Sequence, residues 1–209
     1  MTPRSGEPRP ERLRIAALRS ALAGPFDLSL APGECVAVTG ASGSGKSLFL
    51  RMIADLDPST GEVFLDGAAR QRIAAPAWRR QVVYCPAESG WWDERVAAHF
   101  PGPSQGFARS MGARFGLDPG LLDGPVLRLS SGERQRLALI RALALEPPAL
   151  LLDEPTGALD QDSTALVETV LRERLAAGSV ILMVTHSDAQ AERLAGRHLR
   201  MAARRLVGS

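Results

Sequence analysis

Several things are scarce in this chain, and each scarcity narrows what it can be. No run of about 18 consecutive apolar residues occurs in its 209 residues, so nothing reads as a membrane-spanning helix. A strong charge of one sign is missing too. Lys plus Arg number 25 against 23 Asp plus Glu, and a formal net charge of +2 provides no field that calls for nucleic acid. Cysteine appears twice, at Cys35 and Cys85, in apolar β-rich runs without metal-ligand spacing. Two buried thiols in a reducing compartment fit this better than a disulfide. Lysine is scarcest: Lys46 is the only one among the 25 basic residues. A chain that otherwise uses arginine keeps a lysine where a planar guanidinium will not serve.

What is present is ordinary for a soluble globular chain, with 45% apolar and 23% charged residues in one domain's length. Residues 1–11 are rich in Pro and Arg and lack an apolar h-region, which predicts a flexible tail and not a signal peptide. From residue 12 to 209 the pattern alternates strand and helix, the mark of an α/β sheet. Strands are expected over 12–18, 26–30, 35–39, 61–66, 82–85, 149–152 and 180–185. Helices are expected over 46–54, 131–145 and 161–176. Between about 89 and 128 the texture changes to aromatics, Gly and Pro. This predicts a small helical insertion, with short helices at Trp91, 99–103 and 107–115.

Three segments carry chemistry. Gly40-Ala41-Ser42-Gly43-Ser44-Gly45-Lys46-Ser47 fits G-x-x-x-x-G-K-[ST], entered by an apolar strand and left by a helix that begins at Lys46, Ser47 and Leu48. Its glycines let the backbone wrap and turn N–H groups inward, and the helix N-terminus adds partial positive charge. A phosphate chain fits such a cradle, with Lys46 reaching the β- and γ-phosphates and Ser47 holding Mg²⁺. A glycine-rich turn before an ordinary helix would need neither the lysine nor the hydroxyl. Residues 149–154 (ALLLDE) form an apolar strand that ends in two carboxylates. There Asp153 would support the metal shell and Glu154 would orient the attacking water. Ser130-Ser131-Gly132-Glu133 is a capping box that opens a helix. It is a second anion-friendly helix start, and one chain does not need two for one nucleotide. Two chains arranged head to tail would use both, the cradle of one facing the cap of the other.

The order of these segments resembles the ABC-type ATPases. Leu129-Ser130-Ser131-Gly132-Glu133 is similar to their signature motif. Asp160, in Gly157-Ala158-Leu159-Asp160, resembles the D-loop, and His186 after Val184-Thr185 resembles the switch histidine. The resemblance runs from Arg12 to about Leu206. It implies a P-loop NTPase sheet of the ABC ATPase type, with a small antiparallel β portion and a short helical subdomain. It also implies ATP and Mg²⁺ as cofactors, and Glu154 and His186 as catalytic residues. The nucleotide would be bound by Gly40 to Leu48 of one copy and by Ser130, Ser131, Gly132, Glu133 and Asp160 of another. The implied partners are a second copy and an integral-membrane permease, with no nucleic acid. The implied location is cytoplasmic, on the inner face of the membrane through that permease.

The chain departs from the pattern in four places. Ala87 stands where the family has a glutamine, with Glu88 next to it as a substitute that could reach the metal. Leu22, with Arg19 nearby, stands where an aromatic stacks on adenine, which predicts weak ATP binding by the lone monomer. Ser131 replaces a signature glycine, and its backbone N–H is retained. Trp91-Trp92 occupy a place suited either to a partner interface or to local core packing. Two other readings compete with a transporter motor. A non-transport ABC switch would need coiled-coil, zinc or extra-domain insertions, and none appears. A small-molecule P-loop kinase would leave the signature segment, Asp160 and His186 unexplained.

Overall fold

The computed structural model describes residues 11–208. Of the expected tail, only Glu11 falls among the described residues. In chain order the elements are β1 (Leu13–Arg19), β2 (Phe26–Leu30), β3 (Cys35–Thr39), α1 (Lys46–Ile53), β4 (Thr60–Leu65), β5 (Ala68–Ala69), α2 (Ala75–Gln81) and β6 (Val82–Cys85). They continue with α3 (Ser104–Arg114), α4 (Ser131–Leu143), β7 (Ala149–Asp153), α5 (Gln161–Ala176), β8 (Val180–Val184), α6 (Asp188–Leu194), β9 (Arg197–Ala202) and β10 (Arg205–Gly208).

Two sheets result. One is antiparallel, in the order β2-β1-β4-β5. The other runs β10-β9-β3-β8-β7-β6, parallel throughout except for β10. The central strands are buried on both faces, which is why they read as unbroken apolar runs. Residues alternate between two cores, as the two-residue period of a strand requires. In β3, Val36 and Val38 face a core shared with α1, Trp78 and the antiparallel sheet, whereas Cys35 and Ala37 face the core built on α4, α5 and α6. In β7, Ala149 and Leu151 go one way and Leu150 and Leu152 the other. Helix α1 thus lies between the two sheets, with Phe49, Leu50, Met52 and Ile53 all fully buried.

The expected strands and helices form, with ends that shift by one or two residues. The insertion differs from expectation in detail. Trp91 lies in irregular chain, Val96–His99 makes a 3₁₀ turn, and α3 begins at Ser104 after Pro101-Gly102-Pro103. The insertion shares one core with the sheet: Phe100, Ala108, Phe115, Leu122 and Leu129 pack in the cluster that holds Leu137 and Leu152. The two tryptophans differ in burial. Trp91 is partly buried against this core, and Trp92 is 71% exposed. Both lie over the Arg141 guanidinium, and both contact the His99 ring.

Candidate functional site

The site begins where β3 ends. Gly40 has φ 147°, and a Cβ there would meet the Met201 carbonyl oxygen at 2.4 Å, so only glycine fits. Gly43 (φ 72°) and Gly45 (φ 104°) also lie in the left-handed region, and Gly45 precedes α1 directly. Lys46 is buried, and its ammonium donates to the carbonyls of Gly40 and Ala41 at 2.8 and 3.0 Å. The lysine is therefore folded back into the loop that it would share with phosphate. The buried Ser44 hydroxyl has no hydrogen-bond partner. An inward-facing loop, a buried cation and an unpartnered hydroxyl fit a phosphate chain.

The acidic pair sits where β7 ends. Asp153 is buried and accepts a hydrogen bond from the Tyr84 hydroxyl at 3.0 Å. Burial, with the Asp153 charge next in weight, pushes the Tyr84 hydroxyl well above its ordinary pKa, so it stays a donor to that carboxylate. Glu154 has φ 48°, a conformation that non-glycine residues avoid. Its Oε2 accepts from the His186 backbone N–H at 3.2 Å, and its Oε1 lies 3.2 Å from His186 Nε2. The carboxylate and the histidine are thus neighbours.

One cleft of about 360 Å³ collects Ser42, Gly43, Gly45, Lys46, Ser47, Leu48, Asp153, Glu154 and His186. Leu22, Ala87 and Arg204 complete its wall. Ala87 thus lines the same cleft as Lys46 and Asp153 and offers it no polar side chain. Glu88, foreseen as its substitute, is exposed and does not line the cleft. Arg19 does not line it either, and its Nε donates to the Thr60 hydroxyl at 3.4 Å. A larger cleft of about 990 Å³ opens on the other side of Glu154 and His186, walled by α5, α6 and the Thr156–Leu159 segment.

The signature segment lies outside both clefts. The capping box forms as expected: Ser130 accepts from the Glu133 N–H at 3.3 Å, and Glu133 accepts from the Ser130 N–H at 2.8 Å. The Ser130 N–H and the Ser130 hydroxyl, which also donates to Glu133 Oε2 at 2.8 Å, hold the Glu133 carboxyl below the usual carboxylate range. Gly132 packs against the Ala158 carbonyl, 3.1 Å from where its Cβ would be. Asp160 caps α5 by accepting from the Ser163 N–H at 2.7 Å, which lowers its pKa. Ser131 occupies the first turn of α4.

Sequence reasoning missed two contacts. Gln135 donates to the Glu154 carbonyl at 2.6 Å and accepts from the Ala158 N–H at 2.9 Å, which ties α4 to the acidic strand end. Arg204, from the β9–β10 turn, donates to the Leu22 carbonyl at 3.0 Å. A glutamine five residues after a helix cap gave some signal. An arginine near the end of the chain gave none.

Known proteins resemble this chain along most of its length. The family model described as ABC transporter matches residues 24–157. The chain is 41% identical over 204 residues to an aliphatic sulfonates import ATP-binding protein, SsuB, of Ralstonia nicotianae, covering 91% of this chain and 69% of that one. It is 39% identical to Protein STAR1 of Oryza sativa subsp. japonica, covering 81% of this chain and about half, 52%, of that protein's length. A solved ATP-binding subunit of an ABC transporter superposes with a TM-score of 0.84 at 24% identity, covering 93% of this chain and 87% of that one, and shows the shared fold.

Proposed function

Because the chain belongs to the ABC transporter family, we propose that it is an ATP-binding and ATP-hydrolysing subunit that drives transport through a separate membrane permease. One observation carries this reading. The phosphate cradle, the acidic pair and His186 share one cleft, while the signature helix start and Asp160 lie outside it. A second copy, turned head to tail, would bring its own Ser130–Glu133 and Asp160 to that cleft.

In this reading the residues from Gly40 to Leu48 hold the phosphates, and the Lys46 ammonium leaves the Gly40 and Ala41 carbonyls to meet them. Mg²⁺ would be held by Ser47 and Asp153 together with phosphate oxygens and water, and would neutralise charge on the transferred group. Asp153 keeps its orientation through Tyr84. Glu154 places a water for attack on the γ-phosphate, and His186 fixes that carboxylate and contacts the γ-phosphate. Closure of two copies around two nucleotides, and reopening after hydrolysis, is the motion delivered to the permease. ATP stabilises the closed pair because it binds that state selectively. No helix among the described residues is long and apolar enough to cross a membrane. The permease would hold the chain at the cytoplasmic face.

Glu154→Gln tests this by removing the base and keeping the shape. Light scattering should give 22.3 kDa without nucleotide and twice that mass with Mg-ATP. Hydrolysis should fall by about 10²- to 10⁴-fold. A variant that binds ATP yet stays monomeric at saturation, with and without the permease, sinks the two-copy site.

A further inference from the structure

The β9–β10 hairpin turns through two residues, Ala203 and Arg204, with φ 46° and 59°. Two successive left-handed residues make the type I′ turn, which usually takes Asn-Gly and which residues bearing a Cβ resist. This turn therefore holds an arginine in a conformation that the arginine itself does not favour.

The turn sits against the nucleotide cleft. A Cβ placed on Gly45 would lie 3.5 Å from Arg204 Cγ, so the arginine stem passes directly over the loop before Lys46. The Arg204 carbonyl accepts from the Gly24 N–H at 3.0 Å, and its Nη1 donates to the Leu22 carbonyl at 3.0 Å. Arg204 is thereby joined on both sides to the β1–β2 loop. That loop carries Leu22, 60% exposed, where an aromatic platform would be expected. Both residues line the cleft that holds Lys46 and Ser47. Among the described residues the guanidinium bonds a backbone carbonyl and pairs with no carboxylate.

We propose that Arg204 is a nucleotide-binding residue, its planar guanidinium lying on the adenine face in place of the missing aromatic. The inference rests on the ATP reading above. A guanidinium suits this task because it is flat, weakly hydrated and stacks on π-faces, and an ammonium does none of these. Leu22 supplies the apolar edge of the same platform. The carbonyl bond to Leu22 holds the fork at the adenosine end of the cleft, away from the phosphate end where Lys46 acts.

Calorimetric titration of the full chain with Mg-ATP and with inorganic tripolyphosphate decides the matter. Arg204→Gly is the useful variant, because glycine fits φ 59° and the fold should keep or raise its Tm. It should bind ATP roughly 5- to 150-fold more weakly, the range for one lost base stack, and bind tripolyphosphate within about twofold of the parent. Arg204→Lys should behave like the glycine variant. Adding Leu22→Tyr to Arg204→Gly should restore ATP affinity. Equal losses for both ligands, or full activity of the lysine variant in ATP binding, would show a phosphate contact and overturn the proposal. An unchanged ATP affinity in Arg204→Gly would overturn it as well. Failure of the parent chain to bind ATP would overturn both this inference and the ATP reading.

Discussion

Replacing Gln135 should separate stability from nucleotide binding. Its side chain makes two bonds, to the Glu154 carbonyl at 2.6 Å and from the Ala158 N–H at 2.9 Å. Each contributes about 0.5–1.5 kcal/mol net, so Gln135→Ala should cost about 2 kcal/mol. In a domain of this size that lowers Tm by about 4–8 °C. The catalytic effect should be larger than the stability effect suggests. Glu154 stands at φ 48°, and Gln135 holds the carbonyl of that same residue. Freeing it lets the carboxylate drift from its place beside His186, and a displacement of about 1 Å can cost about 100-fold in rate. ATP affinity should not change, because Gln135 does not line the cleft. Gln135→Glu should be the informative partner. It keeps an acceptor for Ala158 and sets a carboxylate against the Glu154 carbonyl, so it should be at least as damaging. The assay is thermal unfolding beside single-turnover hydrolysis and ATP titration. If Gln135→Ala moves Tm by less than about 1 °C and leaves hydrolysis intact, the bridge does no work. If ATP affinity falls in step with rate, Gln135 acts through the cleft and the reasoning fails.

Two further outcomes follow from buried groups. Burial pushes Cys35 up to about 12 and Cys85 up to about 11, with Glu34 a smaller cause for Cys35. Folded thiols thus hold protons that the unfolded chain releases from about pH 9 upward. The thiols' contribution to stability should be flat below about pH 8 and fall between about pH 9 and 11, by up to about 1.4 kcal/mol per pH unit per thiol. Tyr84, whose hydroxyl is also pushed up, adds a slope of the same sign above about pH 10, so the thiols alone are read between about pH 9 and 10. Chemical denaturation across that range should show the slope, and a Cys35→Ala, Cys85→Ala variant should flatten it. Glu168, 3% exposed, receives Arg193 at 2.7 Å and Arg172 at 3.1 Å. Because both arginines are about half exposed, Glu168→Ala should cost about 1–3 kcal/mol in urea titration, less than a fully buried pair. An unchanged midpoint would contradict this.

The legible parts of the sequence were those with a local physical signature. β3, β7 and β8 are buried on both faces, so each spells an apolar run with no polar interruption. The Ser130–Glu133 box names its helix start because both of its bonds are made within four residues. The glycines around Lys46 are legible because their backbone angles exclude other residues. β9 and β10 had no such signature. Only Met201 is buried in the Arg197–Ala202 strand, and the rest is arginine-rich and partly exposed. Helix α2 is short and carries Pro76, and its purpose is one residue, Trp78, fully buried and donating to the Ile53 carbonyl at 3.0 Å. Tyr84 to Asp153, Gln135 to Glu154 and Arg204 to Leu22 join residues 69, 19 and 182 positions apart, and no local pattern encodes such pairs.

The scarcity of lysine and the surplus of arginine meet in one cleft. Lys46 is the chain's single ammonium, buried and bonded to two loop carbonyls within 3.0 Å. A guanidinium is wider, carries five donors in one plane and could not withdraw into that loop. A compact charge that leaves two carbonyls for a phosphate is the reason to keep one lysine in a chain that otherwise uses arginine. At the other end of the cleft the requirement inverts. A flat face is needed where Leu22 offers none, and there the chain places Arg204 in a turn whose backbone would suit glycine better. The two cations are chosen for shape and not for sign. The ATP and tripolyphosphate titrations divide them accordingly: loss of Lys46 should weaken both ligands, and loss of Arg204 only the one that carries a base.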